Sequence, residues 1–244
     1  MTGMSFARQT TREKLVWAID QALENENAKL PPKTYHAIGA SRLGHECVRA
    51  IQYEYLRTSK GEGSAFSGQT LRIFARGHIF EDMMAGWLRK AGFILRTHDQ
   101  YGKQFGFAVA GGKLKGFCDG VFVGGPAIYQ YPALWECKAL GSKSWKRIAK
   151  EKLKGAPEYC GQMALYQAYL NLSDNPGVFT AINSDTMDIY EELVPFDPAE
   201  AQRLSDRAVN IIQASEAGEW LPRVAQQSDF YLCTYCDYQD ICWR

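Results

Sequence analysis

The sequence lacks any long apolar run. No stretch of about 18 consecutive apolar residues occurs in its 244 residues, which argues against a membrane-spanning helix. The first residues, MTGMSFARQTTREK, lack the apolar middle section of a secretory signal. We therefore expect a protein of the cytoplasm that has no membrane partner.

The sequence also lacks a strong charge of one sign, since its formal net charge is +1. A nearly neutral chain has no general attraction for nucleic acid, so polyanion binding must come from a local patch. One basic patch occurs in this sequence, and two interpretations of it are open: the solvated face of a helix, or a contact for a phosphate backbone. Its residues are Lys143, Lys146, Arg147, Lys150, Lys152 and Lys154, of which the first four are the candidate DNA contacts.

Disulfide bonds are not expected either. The chain has seven cysteines, but without an export signal a reducing cytosol disfavours a disulfide framework. Metal or cluster ligation is the better explanation for any spaced group of cysteines. Cys118, Cys137 and Cys160 lie in predicted core elements and are interpreted as small buried residues.

The segment CTYCDYQDIC holds a spaced group of this kind. Cys233, Cys236 and Cys242 follow a C-x2-C-x5-C pattern. Three thiols need a fourth ligand, and Cys47 is the best candidate among the other cysteines. Iron-sulfur clusters favour four thiolates and zinc accepts the same set, so the spacing alone leaves the metal open.

Internal repeats and low-complexity segments are absent, and the length suits one large domain or a domain with an appended lobe. Helical spacing of apolar residues predicts a first helix capped at Thr10 and a second through ASRLGHECVRAIQYEYLR. A longer third helix follows and ends at Gly92. Its predicted core residues are Phe74, Phe80, Met84 and Leu88.

The period of the pattern then changes to that of strands. A hairpin that turns at Gly111 and Gly112 precedes the strand IYQYPALWECKAL, in which Pro132 favours an edge or a bulge. A basic helix, an amphipathic helix, two strands and a last helix opened by Asp197 and Pro198 follow. The pattern predicts an α/β (α+β) protein.

Three charged residues interrupt the apolar strand patterns. Asp119 ends one run, and Glu136 and Lys138 lie two apart in another, on one face of the strand, with Cys137 on the opposite face. Buried charges are costly unless they are paired or bind metal. Two interpretations stay open. The first is a divalent-metal hydrolase site whose lysine orients or deprotonates the attacking water, and the second is a cross-strand ion pair with Asp119 in a turn.

The third predicted helix offers a further ligand in the segment RGHIFED. His78 and Glu81 lie three residues apart, and therefore on neighbouring faces of a helix. Each is a candidate third ligand for a metal ion, although a lone glutamate on a helix is more often simply solvated.

Glu81, GFCDG, ECK and CGQMALYQAY, in this order, resemble the motifs of the PD-(D/E)xK nuclease superfamily, and specifically of its RecB-like exonuclease branch. The resemblance implies a restriction-endonuclease-like core with a mixed central sheet flanked by helices. The sequence departs from the pattern at Phe80, where many RecB-like proteins have a histidine. Glu81 is therefore the preferred ligand and His78 the reserve.

The resemblance also implies the role of each motif residue. Lys138 is the catalytic lysine, and Gln162 with Tyr166, four apart on one helical face, contacts DNA or supports the site. The bound ion is Mg²⁺ or Mn²⁺. The implied metal-binding residues are Glu81, His78, Asp119, Glu136 and Cys137.

The cysteine arrangement is similar to that of the iron-sulfur nucleases of the AddB and Cas-four families, in which a [4Fe-4S] cluster joins the ends of the chain. By this resemblance Cys47, Cys233, Cys236 and Cys242 bind such a cluster, with zinc as the alternative. Three regions are then expected: a helical N-terminal region (1–66) that contributes one cysteine, a nuclease core (67–196), and a C-terminal helix with a cysteine-bound coil (197–244).

The implied function is a metal-dependent DNA exonuclease that acts on single-stranded ends in recombination, repair or processing, in a bacterial cell or a phage-infected host. Trp145 and Tyr166 either stack on bases or pack in the core. The alternative is a non-catalytic DNA-binding or adaptor subunit in a repair or CRISPR spacer-acquisition complex. The expected partners are DNA and the proteins of such complexes.

Overall fold

The computed structural model describes residues 11–30, 36–58 and 66–244, so the predicted cap at Thr10 lies outside the described residues. None of the described helices is both long enough and apolar enough to cross a membrane. In chain order the helices are α1 (Thr11–Ala28), α2 (Val48–Leu56), α3 (Gly68–Lys90), α4 (Ser142–Glu151), α5 (Pro157–Tyr169), α6 (Pro198–Glu216), α7 (Tyr231–Thr234) and α8 (Gln239–Cys242).

The ends of the long helices follow from local chemistry. The side chain of Ser67 caps α3 by accepting a backbone N–H at 3.2 Å, and the chain leaves this helix through Gly92, whose φ is +92°. Asp197 caps α6 by accepting a backbone N–H at 2.9 Å, and Pro198 takes the first helical position. The predicted end of the third helix and the start of the last predicted helix, α6, are confirmed, but the segment predicted as a cysteine-bearing coil contains the short helices α7 and α8.

The strands, in chain order, are β1 (Ile38–Gly39), β2 (Ile94–Arg96), β3 (Gly106–Val109), β4 (Leu114–Phe117), β5 (Gly120–Gly124), β6 (Ala133–Leu140), β7 (Gly177–Asn183) and β8 (Ile189–Val194). One sheet has the order β2-β5-β6-β7-β8, and a smaller sheet has the order β1-β4-β3. In the larger sheet β6 and β7 are parallel and the other pairs are antiparallel. This mixed sheet flanked by helices confirms the predicted fold class.

Strand β6 lies in the interior of the larger sheet, between β5 and β7. The prediction of an edge or a bulge at Pro132 is therefore wrong. The proline directly precedes Ala133, the first residue of the strand, so its missing N–H removes no hydrogen bond from the ladder.

Helices cover both faces of the larger sheet. On one face, Met84 and Ala85 of α3 pack in a core cluster with Trp135 and Cys137, which we call the α3-side core. On the other face, α5 and α6 pack in a larger cluster that includes Leu134, which we call the α5-side core. Successive side chains of β6 therefore alternate between the two cores, as strand geometry requires.

The predicted core face of α3 is confirmed only in part. Met84 is 2% exposed, and Phe80 and Leu88 pack partly buried against the α3-side core. Phe74 is instead 46% exposed, so its predicted burial is wrong. A helical period identifies an apolar face, but the elements that cover that face are decided by tertiary packing.

Helix α2 is shorter than predicted, because Ala40–Arg42 forms a 3₁₀ turn and the α-helix begins directly after Cys47. The fully buried Gln52 ties α2 to the C-terminal segment. Its Nε2 donates to the carbonyl oxygen of Glu219 at 2.6 Å, and its Oε1 accepts the N–H of Leu221 at 2.9 Å. The first and last predicted regions are therefore in contact, while the division into three regions stays a prediction.

Candidate active site

Strand pairing places two of the predicted carboxylates side by side. β5 runs antiparallel to β6 with Gly120 opposite Trp135, so Asp119 and Glu136 occupy neighbouring positions. Oδ2 of Asp119 accepts the backbone N–H of Cys137 at 2.7 Å. The register of the sheet thus places the carboxylates of Asp119 and Glu136 close enough to share one site.

Glu136 is almost completely buried, with 1% of its surface exposed. Its Oε1 contacts Nζ of Lys138 and accepts from Nε2 of Gln162 at 2.8 Å. Its other oxygen, Oε2, is buried and has no hydrogen-bond partner. An unpartnered buried carboxylate oxygen is costly, so this atom indicates a ligand site.

Gln162 and Tyr166 lie one turn apart on α5 and support Glu136. Nε2 of Gln162 also donates to the hydroxyl of Tyr166 at 2.9 Å. The two residues are 6% and 3% exposed, so Tyr166 offers no surface on which a base could stack. The smaller sheet approaches closely here, because a Cβ on Gly116 would lie 2.5 Å from Cε1 of Tyr166.

Lys138 lies between carboxylates and an aromatic ring. Its Nζ contacts Glu136 and lies 5.6 Å from the centre of the Tyr159 ring. Burial alone would lower the pKa of Lys138, but the carboxylates of Glu136 and Asp119 overcome this effect and hold its pKa above the usual value. Lys138 is therefore an ammonium at neutral pH and acts as a hydrogen-bond donor.

Glu81 approaches this group from α3. Its side chain is 28% exposed, and its Oε2 lies 3.9 Å from Nδ1 of His78, whose side chain is 82% exposed. Burial, and then the charge of Asp119, raises the pKa of Glu81 to about 7. Burial also raises the pKa of Glu136 to about 8. When all three are ionised, the carboxylates of Glu81, Asp119 and Glu136 outnumber the one ammonium of Lys138, and a divalent cation would offset the excess negative charge.

The chemistry of this group fits a hard divalent cation, which prefers oxygen ligands. Over residues 11–30, 36–58 and 66–244, no three His, Cys, Asp or Glu side chains already converge as the ligands of one ion. The fit rests on the adjacent carboxylates of Asp119 and Glu136 and on the unpartnered Oε2 of Glu136. Cys137 contributes its backbone N–H, whereas its thiol lies in the α3-side core.

A groove of about 1040 Å³ opens over the site. This volume lies at the upper end of the roughly 300–1,000 Å³ of pockets that hold one drug-sized ligand. Asp119, Glu136, Lys138, Gln162 and Tyr166 all line it. Its other charged and aromatic lining residues are Arg42, Glu54, Arg57, Phe66, Phe74, Lys115, Phe117, Asp237 and Tyr238.

Local sequence patterns did not mark these further lining residues as site residues, and Phe74 was predicted to lie in the core, although one signal was present. In β4, Lys115 and Phe117 alternate with the buried Leu114 and Gly116, so a cation and an aromatic ring share the outward face of a strand. Arg42 carried no comparable signal, because it lies in a 3₁₀ turn that the helical pattern obscured.

The predicted basic patch lies outside this groove. Its four candidate DNA contacts are exposed along α4, and none of them lines the groove. Trp145 on the same helix is partly buried and donates from Nε1 to the carbonyl oxygen of Ala181 at 3.2 Å, so it packs rather than stacks on a base. The four exposed residues are Lys143, Lys146, Arg147 and Lys150.

The four predicted cluster cysteines surround one cavity. Cys47, Cys233, Cys236 and Cys242 all line it, and Arg223 lies beside them. Burial, followed by other effects that include the neighbouring thiols, raises the pKa of Cys233 and of Cys236. The fold thus places thiols from both ends of the chain at one cavity, but among the described residues no three of them already lie in the arrangement of ligands to one ion. Four thiols are the donor type that a thiolate-bound metal centre uses.

The other three cysteines lie in or beside the core. Cys118 is 0% exposed and Cys137 is 6% exposed. Cys160 is partly buried and packs against the α5-side core, where its thiol donates to the carbonyl oxygen of Leu153 at 3.3 Å. Their interpretation as small buried residues is confirmed for Cys118 and Cys137 and holds in part for Cys160.

No protein-family model matches the sequence, and no curated protein matches it. Solved structures share its fold. The crystal structure of SSO0001 aligns with a TM-score of 0.52 and 18% identity, over 93% of this chain and 96% of that chain. The alkaline exonuclease LHK-Exo from Laribacter hongkongensis aligns with a TM-score of 0.51 and 16% identity, over 75% of this chain and 89% of that chain. The chain therefore has a nuclease-like fold, similar to that of an alkaline exonuclease.

Proposed function

We propose that the protein is a metal-dependent DNA exonuclease that hydrolyses phosphodiester bonds at single-stranded ends. The observation that carries this proposal is the buried Glu136, which lies beside Asp119, contacts Lys138 and keeps one oxygen without a partner. Two carboxylates and an ammonium in an open groove suit hydrolysis assisted by a divalent ion. The fold shared with an alkaline exonuclease supports the same class of reaction. The setting we propose is DNA recombination, repair or processing.

Asp119 and Glu136 would hold the ion, with Glu81 as the third carboxylate and His78 in reserve. When bound, Mg²⁺ or Mn²⁺ would supply Lewis-acid stabilisation of the charge on the scissile phosphate. Lys138 stays protonated beside the two carboxylates, so it would donate a hydrogen bond to a phosphate oxygen or to the attacking water.

Gln162 and Tyr166 would act by positioning Glu136. The amide of Gln162 donates to both Glu136 and Tyr166, and both residues are buried. This network holds the carboxylate in one orientation and leaves Oε2 available to a ligand. Direct contact of Tyr166 with a base finds no support, because its ring is covered.

The exposed cations of α4 would contact DNA beyond the groove. Replacing Lys146, Arg147 and Lys150 by alanine tests this contact through the salt dependence of binding. Each phosphate contact to a single strand changes the slope of log Kd against log salt by about 0.7, so we expect the slope to fall by about 2. An unchanged slope would mean that α4 presents only a solvated face.

Digestion of end-labelled DNA by the purified protein tests the exonuclease proposal. In Mg²⁺ or Mn²⁺, but not in EDTA, the wild type should release nucleotides from single-stranded ends, and Asp119→Asn should not. Asp206→Asn, at an exposed position on α6, is a matched control and should keep full activity. DNA binding without cleavage in either metal would instead indicate a non-catalytic DNA-binding or adaptor subunit.

We further propose that Cys47, Cys233, Cys236 and Cys242 hold a [4Fe-4S] cluster, on the strength of their common cavity and their thiol chemistry. Ligation there would join α2 to the C-terminal segment and would add to the free energy of unfolding. Anaerobically purified protein should contain iron and sulfide and absorb broadly in the visible range, and Cys47→Ser should bleach it as fully as Cys233→Ser does. Colourless protein with stoichiometric zinc would replace the cluster by a zinc site. Full colour in Cys47→Ser would overturn the shared centre.

A further inference from the structure

Three phenylalanines line the groove with their rings exposed to solvent. Phe66, Phe74 and Phe117 are 43%, 46% and 53% exposed, and they come from the segment before α3, from an early turn of α3 and from β4. Single exposed apolar residues are ordinary on a protein surface. Three large aromatic rings in one groove, together with the candidate catalytic residues, indicate a binding surface.

The contact between Phe66 and Phe74 is not part of a capping motif at the N-terminus of α3. A hydrophobic staple at this helix start would pair Phe66, which precedes the capping residue Ser67, with Leu71. Phe66 instead meets Phe74 edge-on, with ring centres 5.0 Å apart and 83° between the ring planes. This pairing builds an aromatic surface at the groove rather than a closed helix end.

Lys115 lies two residues from Phe117 on the same face of β4, so a cation lies beside one of the three rings. The groove is also lined by Arg42, Arg57, Glu54 and Asp237, and Arg42 is paired with Glu54. Cations beside aromatic rings match the repeat of phosphates and bases along a single DNA strand. The bases of a duplex are already stacked on one another and paired, so only an unpaired strand can offer them to the rings.

We infer that Phe66, Phe74 and Phe117 form a base-stacking platform that holds the unpaired end of a DNA strand and selects single-stranded over duplex substrate. The inference rests on the proposed exonuclease function and names the residues that set its substrate class. The three rings are positioning residues, since they place the strand whose phosphate reaches Asp119 and Lys138. Stacking on such rings changes Kd by about 5- to 150-fold per base.

A double-mutant cycle between protein and DNA tests the platform by binding alone. Kd is measured by fluorescence anisotropy in EDTA, for an oligothymidine strand and for a strand of equal length whose nucleotides are all abasic. Phe74→Ala/Phe117→Ala should raise Kd for oligothymidine about 25-fold or more, and removal of the bases should raise Kd for the wild type at least as much. The Kd of the alanine variant for the abasic strand should be little higher than the Kd of the wild type for that strand.

Two further variants control the cycle. Tyr101→Ala removes a ring that is 78% exposed in the turn between β2 and β3, outside the groove, and should bind as the wild type does. Phe74→Trp/Phe117→Trp keeps aromatic faces at both positions and should restore binding. If the fold-change in Kd from the alanine substitutions is the same for the oligothymidine and the abasic strand, the bases do not contact these rings and the inference is overturned.

Cleavage provides the second readout and separates this inference from the proposed function. In Mg²⁺ the alanine variant should lose most of its preference for single-stranded over duplex DNA, measured as the ratio of kcat/KM values. If the wild type cleaves DNA and the alanine variant has the same ratio, the platform is overturned and the exonuclease proposal stands. A wild type that binds a single strand but cleaves no DNA overturns the exonuclease, while the binding cycle still decides the platform.

Discussion

The carboxylate site and the cysteine cavity are built in different ways. Asp119, Glu136 and Lys138 lie on or beside interior strands of the larger sheet, where ladder hydrogen bonds and two cores set their positions. Cys47 directly precedes α2, and the other three cysteines lie on or beside the four-residue helices α7 and α8. The first site is part of the sheet, whereas the second lies where distant ends of the chain meet.

The bonds around the cysteine cavity are also of another kind. Side chains of α2 and of the C-terminal segment combine aromatic packing with bonds to backbone carbonyls. The rings of Tyr53 and Tyr238 stack with their centres 5.1 Å apart, Arg49 contacts the carbonyl of Leu221, and Nε of Arg223 donates to the carbonyl of Cys242 at 2.9 Å. A metal centre there would close a loop of most of the chain, so its ligation would be coupled to folding. A substitution in the carboxylate site should therefore change mainly the cleavage rate, whereas a substitution in the cysteine cavity should change mainly the free energy of unfolding.

The largest effect should come from Asp119→Asn, which breaks the first site without disturbing the sheet. The asparagine oxygen can still accept the N–H of Cys137, while the charge that holds an ion is lost. We expect the cleavage rate to fall about 10³-fold or more, or about 4 kcal/mol in activation free energy. The free energy of unfolding in urea should change by less than about 1 kcal/mol. A larger loss of stability would mean that the carboxylate is structural.

The opposite result is expected for Cys47→Ser. Loss of a ligand at a structural metal centre should lower the free energy of unfolding by about 4 kcal/mol, which lowers the Tm by roughly 8–16 °C in a domain of this size. Cys160→Ser, which changes a partly buried thiol outside the cavity, is the matched control and should cost much less. Equal melting curves for the two variants would contradict a metal centre that joins α2 to the C-terminal segment.

A pH series on the stability of Glu81→Gln tests the raised pKa of Glu81. The folded protein holds the pKa of Glu81 at about 7 against a usual 4.5, so the folded state binds the proton more tightly than the unfolded state does. In EDTA, this group's contribution to stability falls as the pH rises from about 4.5 to 7, and it is fully lost above that window. Glu81→Gln should therefore be more stable than the wild type by up to about 3 kcal/mol at pH 8 and equally stable at pH 4.

Added Mg²⁺ provides the control for that series. If Glu81 is a ligand, Mg²⁺ at pH 8 should stabilise the wild type more than Glu81→Gln. Urea unfolding with and without Mg²⁺ measures the difference. Equal stabilisation of both proteins would remove Glu81 from the ion site and leave Asp119 and Glu136 as its carboxylates.

The smallest effect concerns the hydrogen bonds that join the chain ends. Gln52→Ala leaves the N–H of Leu221 and the carbonyl of Glu219 without their partner, at a cost of about 1–2 kcal/mol. Gln202→Ala, at an exposed position on α6, is the control and should change stability by less than about 0.5 kcal/mol. Denaturant unfolding measures both. No loss in Gln52→Ala would mean that these bonds do not hold α2 to the C-terminal segment.

Local patterns predicted much of the fold and part of the candidate site. The alternation of side chains along β6 put Glu136 and Lys138 on one face, and the structure shows them in contact. The spacing of four put Gln162 and Tyr166 on one face of α5, where they bond to each other. Such relations depend only on the period of a single strand or helix, and this period is a property of the backbone.

Those patterns did not predict how the helices and strands pack against one another. Helical spacing marked Phe74 as a core residue, but the sheet does not cover that part of α3, and the ring lines the groove instead. The basic run on α4 was visible in the sequence, yet its position outside the groove depends on how α4 packs against the sheet. The cations that do line the groove come from a 3₁₀ turn, a helix end and a strand that are distant in sequence.

The sequence by itself determined the types and order of the longer elements and the charged and thiol residues available to two sites, because periodicity, capping and turn chemistry act over a few neighbouring residues. The short elements β1, β2, α7 and α8 gave no such pattern. The tertiary structure alone decided that Asp119 meets Glu136, that Cys47 shares a cavity with three cysteines more than 180 positions away, and that three phenylalanines face one groove. These outcomes depend on strand register and on the packing of helices over both faces of the sheet. Both are set by the burial of apolar surface across the whole chain.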